Sequence, residues 1–280
     1  MKQPNKWRET CDPFTLPFKN FKLLEVLGYP HAGNDVFYAK GIYNNEEVNV
    51  FIKVARHIDA NVKNEIEVLN KIDIKQKPIV IDTDNEKYVV TLEIVGERLS
   101  TILKDNINNE SFKYMEEYGK TLGELHKISG EFEKVKDRKF FHIPSEDYFE
   151  KDDLLDVYNY LVTNNPKEIN EVFVHGDFHY ANILWNDNHI SAILDFELSG
   201  IGNKEFDIAW SIIRRPGQKF MKTEEEIDLF LKGYNLVNSY NLEYVKYYMI
   251  LIYTYFYYVG YDDEEYRNYV YSWITNKTKK

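Results

Sequence analysis

Asp177, Asp195, Asn182 and His175 fall within one stretch, residues 171–197, that reads EVFVHGDFHYANILWNDNHISAILDFE. Val172, Phe173 and Val174 form a short apolar run that delivers His175-Gly176-Asp177 at a turn, where Gly176 permits tight backbone geometry. Residues 183–185 and 190–194 are two further apolar runs, separated by Asn186-Asp187-Asn188. Asn and Asp tolerate the left-handed conformations of hairpin turns, so a β-hairpin is predicted. Antiparallel pairing then sets Asn182, opening the first strand, beside Asp195, closing the second, with Asp177 on the loop that leads in. An Asn and an Asp near a second Asp make the oxygen-rich site, short of protein ligands, that Mg²⁺ prefers. The remaining carboxylate is free to orient an attacking hydroxyl or take its proton. That division of labour is the chemistry of phosphoryl transfer.

The elements that must hold these residues are legible along the chain. Three strand-like runs, FKLLEVL, VFYAK and VNVFIKVA, predict an antiparallel start. The loop between the first two contains Gly28 and Gly33 but no G-x-G-x-x-G, and the absence of a Walker A motif excludes a P-loop. In the third run, alternation puts Val50, Ile52 and Val54 on one face and Phe51, Lys53 and Ala55 on the other. A lysine there either reaches solvent or is paired, because an unpaired buried charge is costly. The segment from Asp59 reads as a helix with Val62, Ile66, Leu69 and Ile72 on its apolar stripe. Glu65 lies beside that stripe, and Glu67 is the second candidate partner for Lys53. Residues 78–81 and 88–92 complete a five-stranded sheet. Beyond Gly96 the pattern turns helical: 110–128 with Gly130 as C-cap, 152–162, and then about 223–238, 242–259 and 262–276. His126 is expected to pack within its helix. The runs Glu224-Glu225-Glu226 and 262–265 open predicted helices, where negative charge complements the helix dipole.

Composition narrows the class. The 280 residues carry a formal net charge of −11, 44% hydrophobic and 16% aromatic residues, and 13 Gly. That is a folded chain with room for one large domain or two lobes. The negative balance opposes a nucleic-acid role and is compatible with a cationic substrate. Cys11 is the single cysteine, which excludes an internal disulfide and a cysteine-based zinc site. No run reaches the length of a membrane span and the N-terminus lacks a signal-peptide core, so the expectation is a cytoplasmic protein.

At HGDFHYAN and ILDFE the chain resembles the aminoglycoside phosphotransferase and choline kinase family of small-molecule kinases. GNKEFDIA, residues 202–209, resembles that family's G-x-x-x-x-D-[IL]-A stretch. The resemblance implies an α+β, bilobal protein-kinase-like fold: an antiparallel sheet with one helix over 1–95, and a mainly helical lobe over 96–280. It implies Asp177 as the catalytic carboxylate, Asn182 and Asp195 as Mg²⁺ ligands, and His175 and Asp207 as structural support of the catalytic loop. Lys53 would contact the α and β phosphates of ATP or GTP, held by Glu65. Glu93, Ile94 and Val95 would form the hinge that meets the adenine edge. HGD stands where protein kinases have H-R-D, DFE where they have D-F-G, and no A-P-E follows, so a protein substrate is not expected.

The expected function is transfer of the γ-phosphate to a hydroxyl of a small, cationic molecule. An aminoglycoside antibiotic comes first and choline or a related alcohol second, with macrolides, homoserine and sugar alcohols open. The expected state is a monomer or weak dimer without nucleic-acid or membrane partners. A pseudokinase that binds nucleotide without turnover and a metal-dependent hydrolase are the competing readings.

Overall fold

The computed structural model describes residues 11–30, 34–56, 60–258 and 263–279. Gly33, Asp59 and Asp262 lie outside these. The chain divides into two compact units, one built from Met1–Glu97 and Asn182–Ser199, the other from Arg98–Ala181 and Gly200–Lys280.

The first unit contains β1 (Phe21–Gly28), β2 (Asp35–Tyr43), β3 (Glu46–Val54), helix α1 (Val62–Lys71), β4 (Val80–Thr83) and β5 (Tyr88–Leu92). The five strands form one sheet in the order β1-β2-β3-β5-β4, every neighbouring pair antiparallel. Alternation along β3 buries Val50, Ile52 and Val54 in a core with Phe37, Ala39, Tyr88 and Val90. On the opposite face Val62 and Ile66 of α1 pack on Val89. The predicted stripe of α1 is buried along its length, and burying each such aliphatic side chain contributes about 2 kcal/mol. Lys53 shares a face with Phe51 and Ala55, as the alternation requires.

The second unit contains α2 (Leu99–Leu103), α3 (Phe112–Leu125), α4 (Asp147–Glu150), α5 (Leu155–Thr163) and the strand β6 (Glu171–Val174). The predicted hairpin, β7 (Ile183–Asn186) and β8 (His189–Ile193), belongs to the first unit, with Asp187 and Asn188 at φ +49° and +65° in its turn. The second unit resumes with β9 (Gly200–Asn203), α6 (Lys204–Ile212), α7 (Glu224–Asn235), α8 (Leu242–Tyr258) and α9 (Glu264–Thr278). β6 and β9 pair antiparallel, Val174 opposite Gly200.

Three expectations are corrected. Gly130 is not the C-cap of α3: the helix closes at His126, and its last turn tightens into short-range bonds from Lys127 to Glu124 and from Ile128 to Leu125. The helix expected from 152 starts at Leu155, because Asp153 adopts φ +56° and breaks the preceding turn. Asp195 lies two residues past the end of β8, in the left-handed conformation at φ +67°, as the cap of a single 3₁₀ turn, Phe196–Leu198. Pairing still reaches that end of the hairpin through Leu194 N–H donating to the Asn182 carbonyl at 2.7 Å.

α3 and α7 cross at glycines. A Cβ on Gly119 would overlap the carbonyl oxygen of Phe230, and one on Gly233 would overlap that of Glu116. Backbone atoms cannot retreat as a side chain does, so Gly119→Ala is expected to cost about 3 kcal/mol, read as a lower denaturant midpoint at unchanged slope. Loss of under about 0.5 kcal/mol would show that the two helices separate freely.

Candidate active site

Residues from three parts of the first unit converge on one ammonium. Lys53 Nζ, from β3, lies 2.7 Å from Glu65 Oε2 of α1, 2.6 Å from Asp195 Oδ1 and 3.1 Å from Glu197 Oε2. Strand alternation aims Lys53 at the α1 face, and Glu65, three residues after Val62, is buried there; Glu67 is not the partner. Burial works against the lysine's charge, but Glu65, then Asp195 and Glu197, more than offset it and hold its pKa well above the ordinary value.

The segment carrying Asp195 and Glu197 is fastened from α1. Asn64 Nδ2 donates to the carbonyls of Glu197 at 3.1 Å and Ser199 at 2.8 Å, and Asn61 Nδ2 donates to Glu197 at 3.2 Å. Asn34 Nδ2 donates to the Glu197 carboxylate at 2.8 Å. Carboxylate oxygens of Glu65, Asp195 and Glu197 all lie within 4.8 Å of one another. Three carboxylates around one ammonium leave a local excess of negative charge, a donor set that fits a hard divalent cation. Asn182 sits in the same unit at the Asp195 end of the hairpin, tied to it through the Leu194 bond.

Glu93, Ile94 and Val95 form the irregular stretch that follows β5. Glu93 is anchored to Asn49, donating its N–H to the Asn49 carbonyl at 3.0 Å and accepting from Asn49 Nδ2 at 3.0 Å. The backbone groups of Ile94 and Val95 enter no hydrogen bond among the described residues, and Val95 is 72% exposed. Glu97 then resumes pairing, exchanging both backbone bonds with Trp185.

Asp177 belongs to the second unit, on the loop that leaves β6. Gly176 takes φ +79°, the left-handed turn that lets the chain reverse after the strand. Asp207, one turn into α6 and fully buried, braces that loop. Its Oδ2 accepts the His175 N–H at 3.0 Å, its Oδ1 accepts the Gly176 N–H at 3.0 Å, and His126 Nε2 faces Oδ2 at 3.2 Å. The other nitrogen of His126 meets the Tyr234 hydroxyl at 2.8 Å, so this histidine is packed and also links α3 to the brace. His175 is fully buried, and its Nδ1 accepts the Asp177 N–H at 3.3 Å.

Trp210, one turn beyond Asp207 on α6, donates its indole Nε1–H to Asp177 Oδ1 at 2.7 Å, while His179 Nε2 lies 3.5 Å from Oδ2. Burial would raise the Asp177 carboxyl; the hydrogen bond and charge of His179, the charge of Arg215 and the indole N–H overcome it and pull the pKa down to about 2. Glu197, Trp210 and Arg215 are participants that sequence reasoning missed. Glu197 is the last letter of the D-F-E already singled out, and Trp210 follows Asp207 at i+3, the spacing that puts two helix side chains on one face.

Replacing Trp210 by Phe keeps the ring and removes the donor. The expected result is a kcat about tenfold lower with nucleotide KM unchanged, matching the loss of one hydrogen bond to a charged group. An unchanged kcat would mean that the indole does not hold the carboxylate.

The protein-kinase-like α+β fold is shared with solved structures. The streptomycin–ATP–APH(2″)-IIa ternary complex aligns over 76% of this chain and 78% of that one, with TM-score 0.55 and 20% identity. A choline kinase of Streptococcus pneumoniae covers 94% of both chains with TM-score 0.58 and 14% identity. The ethanolamine kinase of Plasmodium vivax covers 93% of this chain and 82% of that one, with TM-score 0.57 and 16% identity. In sequence, the aminoglycoside 3′-phosphotransferase of Enterococcus faecalis is 31% identical over 96 residues, which span 34% of this chain and 34% of that protein. The model of the phosphotransferase enzyme family matches residues 49–235, from within β3 to the end of α7, and so takes in Lys53, Glu65, Asp177, Asn182, Asp195 and Asp207. The chain belongs to the phosphotransferase enzyme family.

Proposed function

We propose that this chain transfers the γ-phosphate of a nucleoside triphosphate to a hydroxyl of a small molecule. The observation that carries this reading is the clasp of Lys53 by Glu65, Asp195 and Glu197 at 2.7, 2.6 and 3.1 Å. It presents a fixed cation for phosphate oxygens beside carboxylates suited to a metal ion. Asp195, Glu197 and Asn182 would hold Mg²⁺, which when bound neutralises charge on the phosphates. Lys53, kept cationic by its carboxylates, contacts the α and β phosphates. Ile94 and Val95 offer unengaged backbone groups to the adenine edge.

In the second unit, Asp177 receives the acceptor hydroxyl as a hydrogen bond. With its pKa near 2 it is fully anionic at neutral pH and a weak base, so it orients the nucleophile and takes the proton only as the oxygen's acidity rises in the transition state. Catalysis is then positioning and charge neutralisation, as a loose transition state requires. ATP is the donor supported by the relatives, one of which is an ATP complex; GTP is the alternative.

For the acceptor, an aminoglycoside is the class supported by the 31% identical relative, and choline or ethanolamine by two of the solved structures. The test is nucleotide-diphosphate release with Mg²⁺, crossing ATP and GTP against aminoglycosides, macrolides, choline, ethanolamine and homoserine. Stimulation above basal hydrolysis by one acceptor class supports transfer. Release that no alcohol increases would instead assign a hydrolase, and nucleotide binding without release a pseudokinase.

A further inference from the structure

Two arginines act on Asp177 in the second unit, although the chain as a whole is acidic. Arg138 lies against three rings, its guanidinium carbon 5.0 Å from the centroid of Phe141, 5.3 Å from Trp210 and 5.5 Å from Phe206. Its guanidinium makes no hydrogen bond and no ion pair among the described residues, while Asp177 and Asp207 are the carboxylates whose fields reach it. Aromatic faces stabilise a guanidinium without occupying its N–H donors, so the fork of Arg138 is left unused. Arg215 lies 5.1 Å from the same Trp210 ring, and among the described residues its guanidinium is bonded to the carbonyls of Trp210 and Ile213. Lys139 follows Arg138 and lies 5.3 Å from Phe140, whose ring packs on Trp210 at 5.2 Å and on Tyr255 at 5.3 Å.

Several carboxylates of this unit are already engaged by other groups. Glu226 closes a capping box with Thr223 and accepts from Ser111 and from the backbone of Met221 and Lys222. Glu224 pairs with Lys277 at 3.2 Å, Glu265 with Arg214 at 3.6 Å, and Asp207 is consumed by the catalytic loop. Asp137, the acid nearest Arg138 in sequence, is taken by His142 at 2.7 Å. Two guanidiniums that form no ion pair among the described residues, set on the indole that bonds the Asp177 carboxylate, are suited to an oxyanion.

Resting on the phosphotransferase reading, we infer that the acceptor is a hydroxy compound carrying an oxyanion, a carboxylate or phosphate, which Arg138 receives while Asp177 receives the hydroxyl. The charge on the acceptor would then select against amine-rich alcohols, since an ammonium brought to this site meets Arg138, Arg215 and Lys139.

The test uses four compounds that share a vicinal hydroxyl and differ in charge: glycerate, glycerol 3-phosphate, glycerol and 3-amino-1,2-propanediol. Each is titrated into the full chain while the Trp210 indole N–H resonance, assigned by its loss in Trp210→Phe, is followed by NMR. The same compounds are offered as acceptors with ATP and Mg²⁺. The expected result is a saturable shift with glycerate or glycerol 3-phosphate, the stronger of the two identifying the anion. Binding should weaken about tenfold or more in Arg138→Met, with partial recovery in Arg138→Lys, which keeps the charge and loses the fork. No saturable shift with either anion, tighter binding of the amine, or equal binding of inorganic sulfate overturns the inference. So does an Arg138→Met effect that is the same for glycerol, because the arginine would then act on the transferred phosphoryl group. Transfer to an amine-bearing or neutral acceptor with no anion binding removes the acceptor assignment and leaves the phosphotransferase reading. Anion binding at Trp210 with no transfer from ATP to any compound does the reverse.

Discussion

Asp177→Asn is expected to lower the rate of phosphoryl transfer about 10³-fold while nucleotide affinity stays within about twofold. The substitution is nearly isosteric, and an amide oxygen can still accept the Trp210 indole N–H, so the loop geometry should survive. What disappears is the negative charge that the proposed function uses to orient the hydroxyl and accept its proton. Half-buried beside His179, Arg215 and the Trp210 indole N–H, the wild-type carboxyl is held at about 2. Its folded pKa is therefore below the unfolded one, so its contribution to stability is present above about pH 4 and is lost as pH falls through about 2. The Asn variant should lack that acid-side loss. By the same logic the acidic limb of the wild-type kcat/KM profile, if one occurs between about pH 5 and 7, belongs to another group, because Asp177 is already ionised there. Equal transfer rates in wild type and Asp177→Asn would remove Asp177 from the chemistry.

The second large effect is structural. Asp207→Ala is expected to cost about 3 kcal/mol and to abolish transfer. Asp207 is fully buried and accepts two consecutive backbone N–H groups, from His175 and Gly176, at 3.0 Å each, and it meets His126 at 3.2 Å. Alanine leaves both peptide donors buried without an acceptor, at about 1–3 kcal/mol each. Denaturant unfolding measures the loss. Asp207→Asn, which retains one acceptor oxygen, should fall between the two. A cost below about 1 kcal/mol would mean that the loop finds other partners and that the brace is dispensable.

The parts of the fold that follow from alternation and helical spacing were legible in the chain. β3 could be assigned its buried face because Val50, Ile52 and Val54 alternate with Lys53, and α1 its stripe because Val62, Ile66, Leu69 and Ile72 recur at helical spacing. The hairpin was legible because Asp187 and Asn188 take positive φ at little cost. By contrast, α6 was not read as a helix. It starts on Asn203, whose side chain caps Phe206 directly after β9, and it is buried all round, including Glu205 and Asp207, so no polar face marks a period. β9 was hidden because Gly200 and Gly202 carry no side-chain pattern; their lack of a Cβ makes room for Glu133 and Val135. Glu197 escaped notice because its role depends on the left-handed turn at Asp195, which swings the next residues back toward Lys53. Trp210 escaped because an indole N–H aimed at a carboxylate has no sequence signature beyond helical spacing. Arg138 and Arg215 acquire their meaning only from the rings on which they lie.

The most direct test of the central claim is ³¹P NMR of the full chain with ATP, Mg²⁺ and each candidate acceptor in turn. The account predicts that the γ-phosphate signal is replaced by a new phosphomonoester signal that appears only when an accepted alcohol is present and that is lost in Asp177→Asn. Conversion of the γ-phosphate to inorganic phosphate alone, at a rate that no alcohol changes, would contradict it.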